Sequence, residues 1–313
     1  MEVHNGLDKE FQIKNPVITT GSFDGVHVGH KTILNRLRKL AKEVDGESVL
    51  ITFHPHPRKV LYPDTAGKEL RLINSQSEKI KLLRTTKLDH LIIVEFDLEF
   101  SRMTSADFIR KILVGKLKAS KIVVGFNHHF GHNREGDYEY LYELGKYFNF
   151  DVEEIPQQDI DNETVSSTKI RKALREGNIQ RANAYLDHHY IIRGVLEKGD
   201  SEMKALGFPT LRLPVGEGSK LIPPDGLYAV HLISGNLYYR GIIKIRRPGG
   251  DTAVQATGIS LQLHLFEYDN DLAGKTATIF FHKQVRNETI FTNGYNLQDE
   301  LQEASEETEE LIY

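Results

Sequence analysis

Apolar runs and amphipathic stretches alternate along residues 17–187, and from 188 onward the amphipathic stretches stop. Residues 17–20, 48–53, 90–96, 121–126 and 151–155 read as strands. Between them, residues 30–44 place Ile33, Leu34, Leu37, Leu40, Ala41 and Val44 on one helical face. Ser75 and Glu78 have capping-box spacing. Thr104 and Asp107 are a looser version of it, heading a helix through Leu117, and residues 137–148 make a fourth helix. This order predicts an α/β fold with a parallel sheet and helices on both faces. After His188 come six strand-like runs, at 190–196, 208–213, 227–233, 237–245, 253–266 and 276–281. They are joined by Gly, Pro, Asp and Asn turns, with Ser234-Gly-Asn as a hairpin tip. That rhythm predicts a six-stranded antiparallel β-barrel, followed by an acidic terminal helix from about Leu297 with a solvated face. The chain of 313 residues is long enough for two cores, expected at 1–187 and 188–313.

Composition excludes more than it selects. A net charge of −4 gives no broad electrostatic basis for nucleic-acid binding. No cysteine is present, so there is no disulfide framework, thiolate metal site or Cys nucleophile. No run has the length of a membrane span or the pattern of a signal peptide. The expectation is a cytoplasmic protein with small-molecule substrates, acting on neither nucleic acid nor membrane.

The strongest local pattern is Gly21-Ser-Phe-Asp-Gly-Val-His-Val-Gly-His30, after a strand and into a helix. His27 and His30 are three apart and share a face in a first helical turn. Gly29 permits close backbone approach, and a helix N-terminus favours phosphate. In an open parallel sheet, ligands bind at the carboxyl ends of the strands. These parts suit a centre that stabilises charge on a phosphoryl group. The competing reading makes the histidines helix caps and the glycines turn formers. A second phosphate-type pattern is Val165-Ser-Ser-Thr-Lys-Ile-Arg171, where Ser166 or Ser167 caps a helix and Lys169 and Arg171 supply charge. Thr52-Phe-His-Pro-His-Pro-Arg58 and Val124-Gly-Phe-Asn-His-His-Phe-Gly131 each follow a predicted strand. The clusters His27/His30, His54/His56 and His128/His129/His132 raise zinc as an alternative, but no protein metal-ligand set is assigned.

Taken in order, GSFDGVHVGH (21–30), TFHPHPR (52–58), VGFNHHFG (124–131), Arg134-Glu-Gly-Asp137 and VSSTKIR (165–171) resemble the prokaryotic riboflavin kinase/FAD synthetase family, over about residues 15–300. The resemblance implies an FMN adenylyltransferase that uses ATP with Mg²⁺, takes FMN as substrate and yields FAD. It gives His27 and His30 to catalysis. Gly21, Phe23, Asp24, Gly29, Ser167, Thr168 and Arg171 go to ATP, and Pro55, Pro57 and Asn127 to FMN.

The second half resembles the family's kinase barrel at Leu206-Gly-Phe-Pro-Thr210, Pro224-Asp-Gly-Leu-Tyr-Ala229, Asp271-Leu-x-Gly-Lys275 and Arg286-x-Glu-x-x-Phe291. It departs from the family where chemistry is expected. Met203-Lys204 stands for Gly-Arg, Arg212 for the Asn after Thr210, Gly249 for a Thr, and Gln262 for the expected base Glu. A neutral amide cannot deprotonate a riboflavin hydroxyl. The expectation is a degenerate kinase site around Thr210, Arg212 and Gln262, with a separate riboflavin kinase as FMN source. Glu267 is the nearest alternative carboxylate, and in an alternating strand it would face away from Gln262. The readings left open are a fully bifunctional enzyme and a non-catalytic flavin-binding protein.

Overall fold

The computed structural model describes residues 1–126, 130–131, 135–156, 165–199, 209–216, 218–247, 258–267, 272–287 and 307–308. Asn127, Met203, Lys204, residues 206–208 and 253–257, Gly249, Asp271, Phe291 and the expected helix from Leu297, apart from the helical residues 307–308, lie outside these. The chain forms two compact units: Met1–Leu70 with Lys79–Val165, and Arg71–Glu78 with Ser166–Tyr313.

The first unit is built on six strands: β1 (Glu2–Asn5), β2 (Val17–Thr20), β3 (Ser48–His54), β4 (His90–Glu95), β5 (Lys121–Gly125) and β6 (Asp151–Ile155). All pair in parallel, in the order β1-β4-β3-β2-β5-β6. β1 was not expected; Glu2-Val-His-Asn lacks a strand's apolar pattern and holds its place at the sheet edge through its ladder to β4. The helices are α1 (Val28–Glu43), α2 (Pro57–Leu61), α3 (Ala66–Glu69), α4 (Gln76–Thr85), α5 (Ser105–Asp107), which continues as a π-helix over Phe108–Lys116, and α6 (Tyr138–Phe148). Ile18, Val49, Ile51, Ile92, Val94, Ile122 and Val124 line one sheet face and pack under Phe108, Ile109, Ile112, Leu113 and Leu141. The buried Leu34, Leu37, Leu40 and Ala41 of α1 lie outside that cluster, while α1 packs on β2, β3 and β5. Helices therefore cover both faces, as the alternation predicts.

The capping signals are realised. Glu78 N donates to Ser75 Oγ (3.3 Å) and Ser75 N to Glu78 Oε2 (2.8 Å), closing the capping box. Thr104 accepts from Asp107 N, and Asp137 from Tyr140 N.

The second unit carries α7 (Ser167–Arg175), α8 (Ile179–Leu186) and a sheet of β7 (Tyr190–Val195), β8 (Glu197–Lys198), β9 (Thr210–Arg212), β10 (Gly226–Ser234), β11 (Leu237–Arg246), β12 (Ser260–Leu265) and β13 (Thr276–Asn287). The order is β7-β13-β10-β11-β12-β9-β8, antiparallel throughout. The expected six-stranded barrel is thus corrected to seven strands. The short β8 pairs with β9, and β7 and β8 share no ladder among the described residues. Bulges in the β10–β13 ladder bend the sheet. Gly235, with φ 59°, opens the expected two-residue hairpin between β10 and β11.

A buried ion pair lies inside this unit. Lys220 Nζ donates to Glu78 Oε2 (2.6 Å), Ile73 O and Ile191 O (2.9 Å). The two side chains are 3% and 1% exposed, and Glu78 Oε1 also accepts from Arg193 N. Every oxygen of the buried carboxylate has a donor, as burial of a charge requires.

Candidate active site

β2 is the strand at which the sheet's winding reverses: the chain passes from it to β3 and β4 on one side, then to β5 and β6 on the other. Its carboxyl end is therefore the topological switch point, where open α/β sheets bind ligands. Residues 21–27 occupy that end and lead into α1. Phe23 (φ 49°), Gly25 (φ 95°) and Val26 (φ 44°) have positive φ in succession or nearly so. A β-branched residue takes that conformation only where its surroundings hold it there. Phe23, Asp24, Val26 and His27 are all buried.

His27 occupies the N-cap position of α1, yet its side chain makes no cap hydrogen bond, and the first turn has no acidic residue. The imidazole instead stacks on His30, with ring centroids 3.7 Å apart and planes at 19°. Phe23 stacks on His30 in turn, at 4.5 Å and 27°. The reading of His27 as a side-chain helix cap is thereby corrected. A Cβ on Gly21 would sit 3.0 Å from the Phe23 ring, and Gly29 is buried in the first turn of α1. Imidazole N–H donors, an N-terminal helix turn without a competing carboxylate and close-approach glycines suit a nucleotide's phosphates.

The carboxyl-terminal part of β3 is fastened to this loop. Thr52 Oγ1 donates to Ser22 O (3.2 Å), and Lys79 Nζ donates to both Ser22 O and Thr52 Oγ1 (3.1 Å each). Lys79 is only 8% exposed. The sequence reading missed it, because it lies far along the chain from both partners. One signal was available: Lys79 sits three and four positions before the buried Leu82 and Leu83, on the apolar stripe of α4. In the HPHP segment, His56 caps α2 by accepting from Arg58 N (3.2 Å), and Pro57 fills the first turn. Pro55 follows a cis peptide bond and is exposed. Beyond β5, Glu135 Oε1 accepts from Ser105 N (2.8 Å), which gives part of the Arg134–Asp137 pattern a structural duty.

In the second unit Ser166, not Ser167, caps α7, accepting from Lys169 N (3.3 Å). Ser167 is the first helical residue, Thr168 is exposed, and the buried Arg171 donates Nε–H to Arg71 O (3.0 Å). Thr210, Arg212 and Gln262 meet on neighbouring strands: His264 lies opposite Thr210, and Gln262 opposite both Arg212 and Lys244. The amide thus sits between two cationic positions. Glu267 lies past the end of β12 in a turn, with φ 50°, so the strand-alternation argument does not apply to it. Among the described residues, the histidine pairs His27/His30 and His54/His56 assemble no three-ligand group. His128, His129 and His132 lie outside them.

Residues 9–169 match the family model for FAD synthetase, and residues 186–312 that for riboflavin kinase. The chain belongs to the riboflavin kinase/FAD synthetase family. A Buchnera aphidicola protein named bifunctional riboflavin kinase/FMN adenylyltransferase is 32% identical over 289 residues, covering 92% of this chain and 91% of its own. An Escherichia coli K12 protein of the same name is 30% identical over 278 residues, covering 88% and 86%. A crystal structure described as a macrolide-efflux protein from Streptococcus pneumoniae superposes with TM-score 0.83 and 25% identity over 98% of both chains. Among the described residues here, no helix is long and apolar enough to cross a membrane. The family membership makes this chain a nucleotidyltransferase of the FMN adenylyltransferase type, with ATP and flavin substrates.

Proposed function

We propose that residues 21–30 carry out adenylyl transfer from ATP, entering as its Mg²⁺ complex, to FMN, and that the kinase half of the chain is weak or inactive. The observation that carries the first part is the stacked His27–His30 pair at the α1 N-terminus, at the switch point of the sheet. An FMN phosphate oxygen attacks the α-phosphorus of ATP. The new P–O bond forms as the bond to the β-phosphate breaks, and pyrophosphate leaves with the electron pair. The nucleophile is already anionic, so positioning and charge neutralisation outweigh general-base help. His27 and His30 donate to the α-phosphate and its leaving oxygens. Gly21, Phe23, Asp24 and Gly29 shape the nucleotide cleft. Ser167, Thr168 and Arg171 are assigned to the phosphates, and Pro55, Pro57 and Asn127 to FMN, by their family motifs alone. The corresponding domains are residues 1–187 for adenylyl transfer and 188–313 for the kinase-like half.

The weak-kinase reading is supported by Gln262 at a position flanked by Arg212 and Lys244. An amide between two cations cannot accept the riboflavin hydroxyl proton, and losing a base commonly costs 10²–10⁴-fold. FMN then comes from a separate riboflavin kinase. The bifunctional names of the relatives favour the competing reading, in which both steps run on this chain. Parallel assays decide: FMN plus ATP should give FAD and pyrophosphate, and riboflavin plus ATP should give little FMN. Rapid FMN formation would return the chain to full bifunctionality. His30→Ala should keep its circular dichroism and lose about 10²–10³-fold in FAD synthesis, the usual cost of a preorganised donor.

A further inference from the structure

The amino end of β4 holds a cluster that adenylyl transfer does not use. β1 and β4 run parallel with Glu2 opposite His90. Residues two apart on a strand share a face, so Glu2 and His4 both turn toward His90. His4 Nε2 lies 3.1 Å from His90 Nδ1, and Glu2 Oε2 lies 3.7 Å from each of those nitrogens. A triangle with sides of 3.1, 3.7 and 3.7 Å has its centre about 2.0 Å from every corner. Zinc bonds to imidazole nitrogen and carboxylate oxygen are about 2.0–2.2 Å long. We propose that Glu2, His4 and His90 form a binding site for a divalent transition-metal ion, zinc above all.

The donor chemistry fits that class of ion. Two imidazoles and one carboxylate suit zinc, nickel or copper, whereas magnesium and calcium prefer all-oxygen sets. The surroundings fit as well. Glu47 Oε1 stands 3.4 Å from His90 Nε2, and its other oxygen accepts from Lys14 N (2.8 Å). Glu47 makes no hydrogen bond to His90 Nε2, and stands beside the ligating imidazole as a nearby negative charge that favours a bound cation. The His90 side chain is 8% exposed, His4 22% and Glu2 74%. The imidazoles are thus preplaced, the carboxylate closes from the solvent side, and water completes the coordination. Phe11 packs edge-on against His4 at 5.4 Å and helps hold its ring.

This site lies at the opposite end of the sheet from residues 21–30. His90 opens β4, whereas the nucleotide loop follows the carboxyl end of β2. A six-residue strand separates the two ends by roughly 20 Å. The ion therefore has no part in phosphoryl chemistry. It staples the four-residue edge strand β1 to the body of the sheet. Glu2 and His4 precede the stretch matched by the FAD synthetase model, which starts at residue 9.

The test uses the full chain, stripped of metal with a chelator and titrated with Zn²⁺ by calorimetry. Co²⁺ serves as a second probe, its visible spectrum reporting nitrogen and oxygen ligation. One site per chain is expected, weakened at least 100-fold in His4→Ala. Zn²⁺ should raise the melting temperature of the parent but not of His4→Ala. His90→Ala removes a buried ring and risks unfolding, so the more exposed His4→Ala and Glu2→Gln variants decide the matter. FAD synthesis with Mg²⁺ should be unchanged in both. Zinc binding at parental affinity in His4→Ala, as would occur if His27 and His30 held the ion, overturns the proposal. So does a parent chain with no tight site.

Discussion

Replacing Lys220 by methionine should cost the second unit about 3–5 kcal/mol, because it strands a buried carboxylate. The side chain makes three donations in the interior, to Glu78 Oε2, Ile73 O and Ile191 O. Methionine fills similar volume, so little of the loss is a cavity effect. What remains is Glu78, 1% exposed, with the backbone N–H groups of Ser75 and Arg193 as the donors to its oxygens among the described residues. For a unit of this size, each kcal/mol moves the melting temperature by about 2–4 °C, so a fall of roughly 10 °C is expected. The chain has no tryptophan, so urea and thermal unfolding are best followed by circular dichroism. The informative control is Lys220→Met combined with Glu78→Gln. The glutamine keeps the capping-box geometry and removes the stranded charge, so the double variant should regain most of the loss. A single-variant cost below about 1 kcal/mol, or a double variant no more stable than the single, would refute the reasoning.

Two further outcomes follow from other elements. Lys79→Met should release Ser22 O and Thr52 Oγ1 from a charged donor, each such bond being worth about 1.5–3 kcal/mol. FAD synthesis should fall while the far-UV spectrum is kept, and steady-state kinetics with ATP varied would expose an unaffected loop as unchanged kcat/KM. His231 and His282 meet at 2.7 Å, and burial together with neighbouring histidines lowers both to about 4. Above pH 6.5 neither folded nor unfolded chain is protonated there, so these groups are silent. As the pH drops below 6.5 the unfolded chain takes protons that the folded chain refuses, and stability falls until the folded state is protonated near 4. Urea midpoints should therefore decline between pH 6.5 and 5, and His231→Phe should flatten that decline; parallel profiles for the two chains would count against it.

Much of the local structure was written in neighbouring residues. The strands at 17–20 and 151–155, the capping pair Ser75/Glu78 and the N-caps Thr104 and Asp137 depend on residues a few positions apart, so the sequence declared them. The same holds for the histidine spacing in residues 21–30 and for the family motifs. Tertiary structure decided the rest, because it depends on groups brought together from afar. Only the sheet order makes the end of β2 a switch point, and only the fold turns His27 off the helix cap and onto His30. Lys79 gained its role by lying on an apolar stripe where the loop after β2 meets strand β3 in space. β1 became a strand by pairing, against weak propensity, and thereby set Glu2 and His4 beside His90. Spacing along a chain encodes caps, turns and periodic faces; the convergence of side chains many residues apart is fixed when burial of the core selects one packing of the elements.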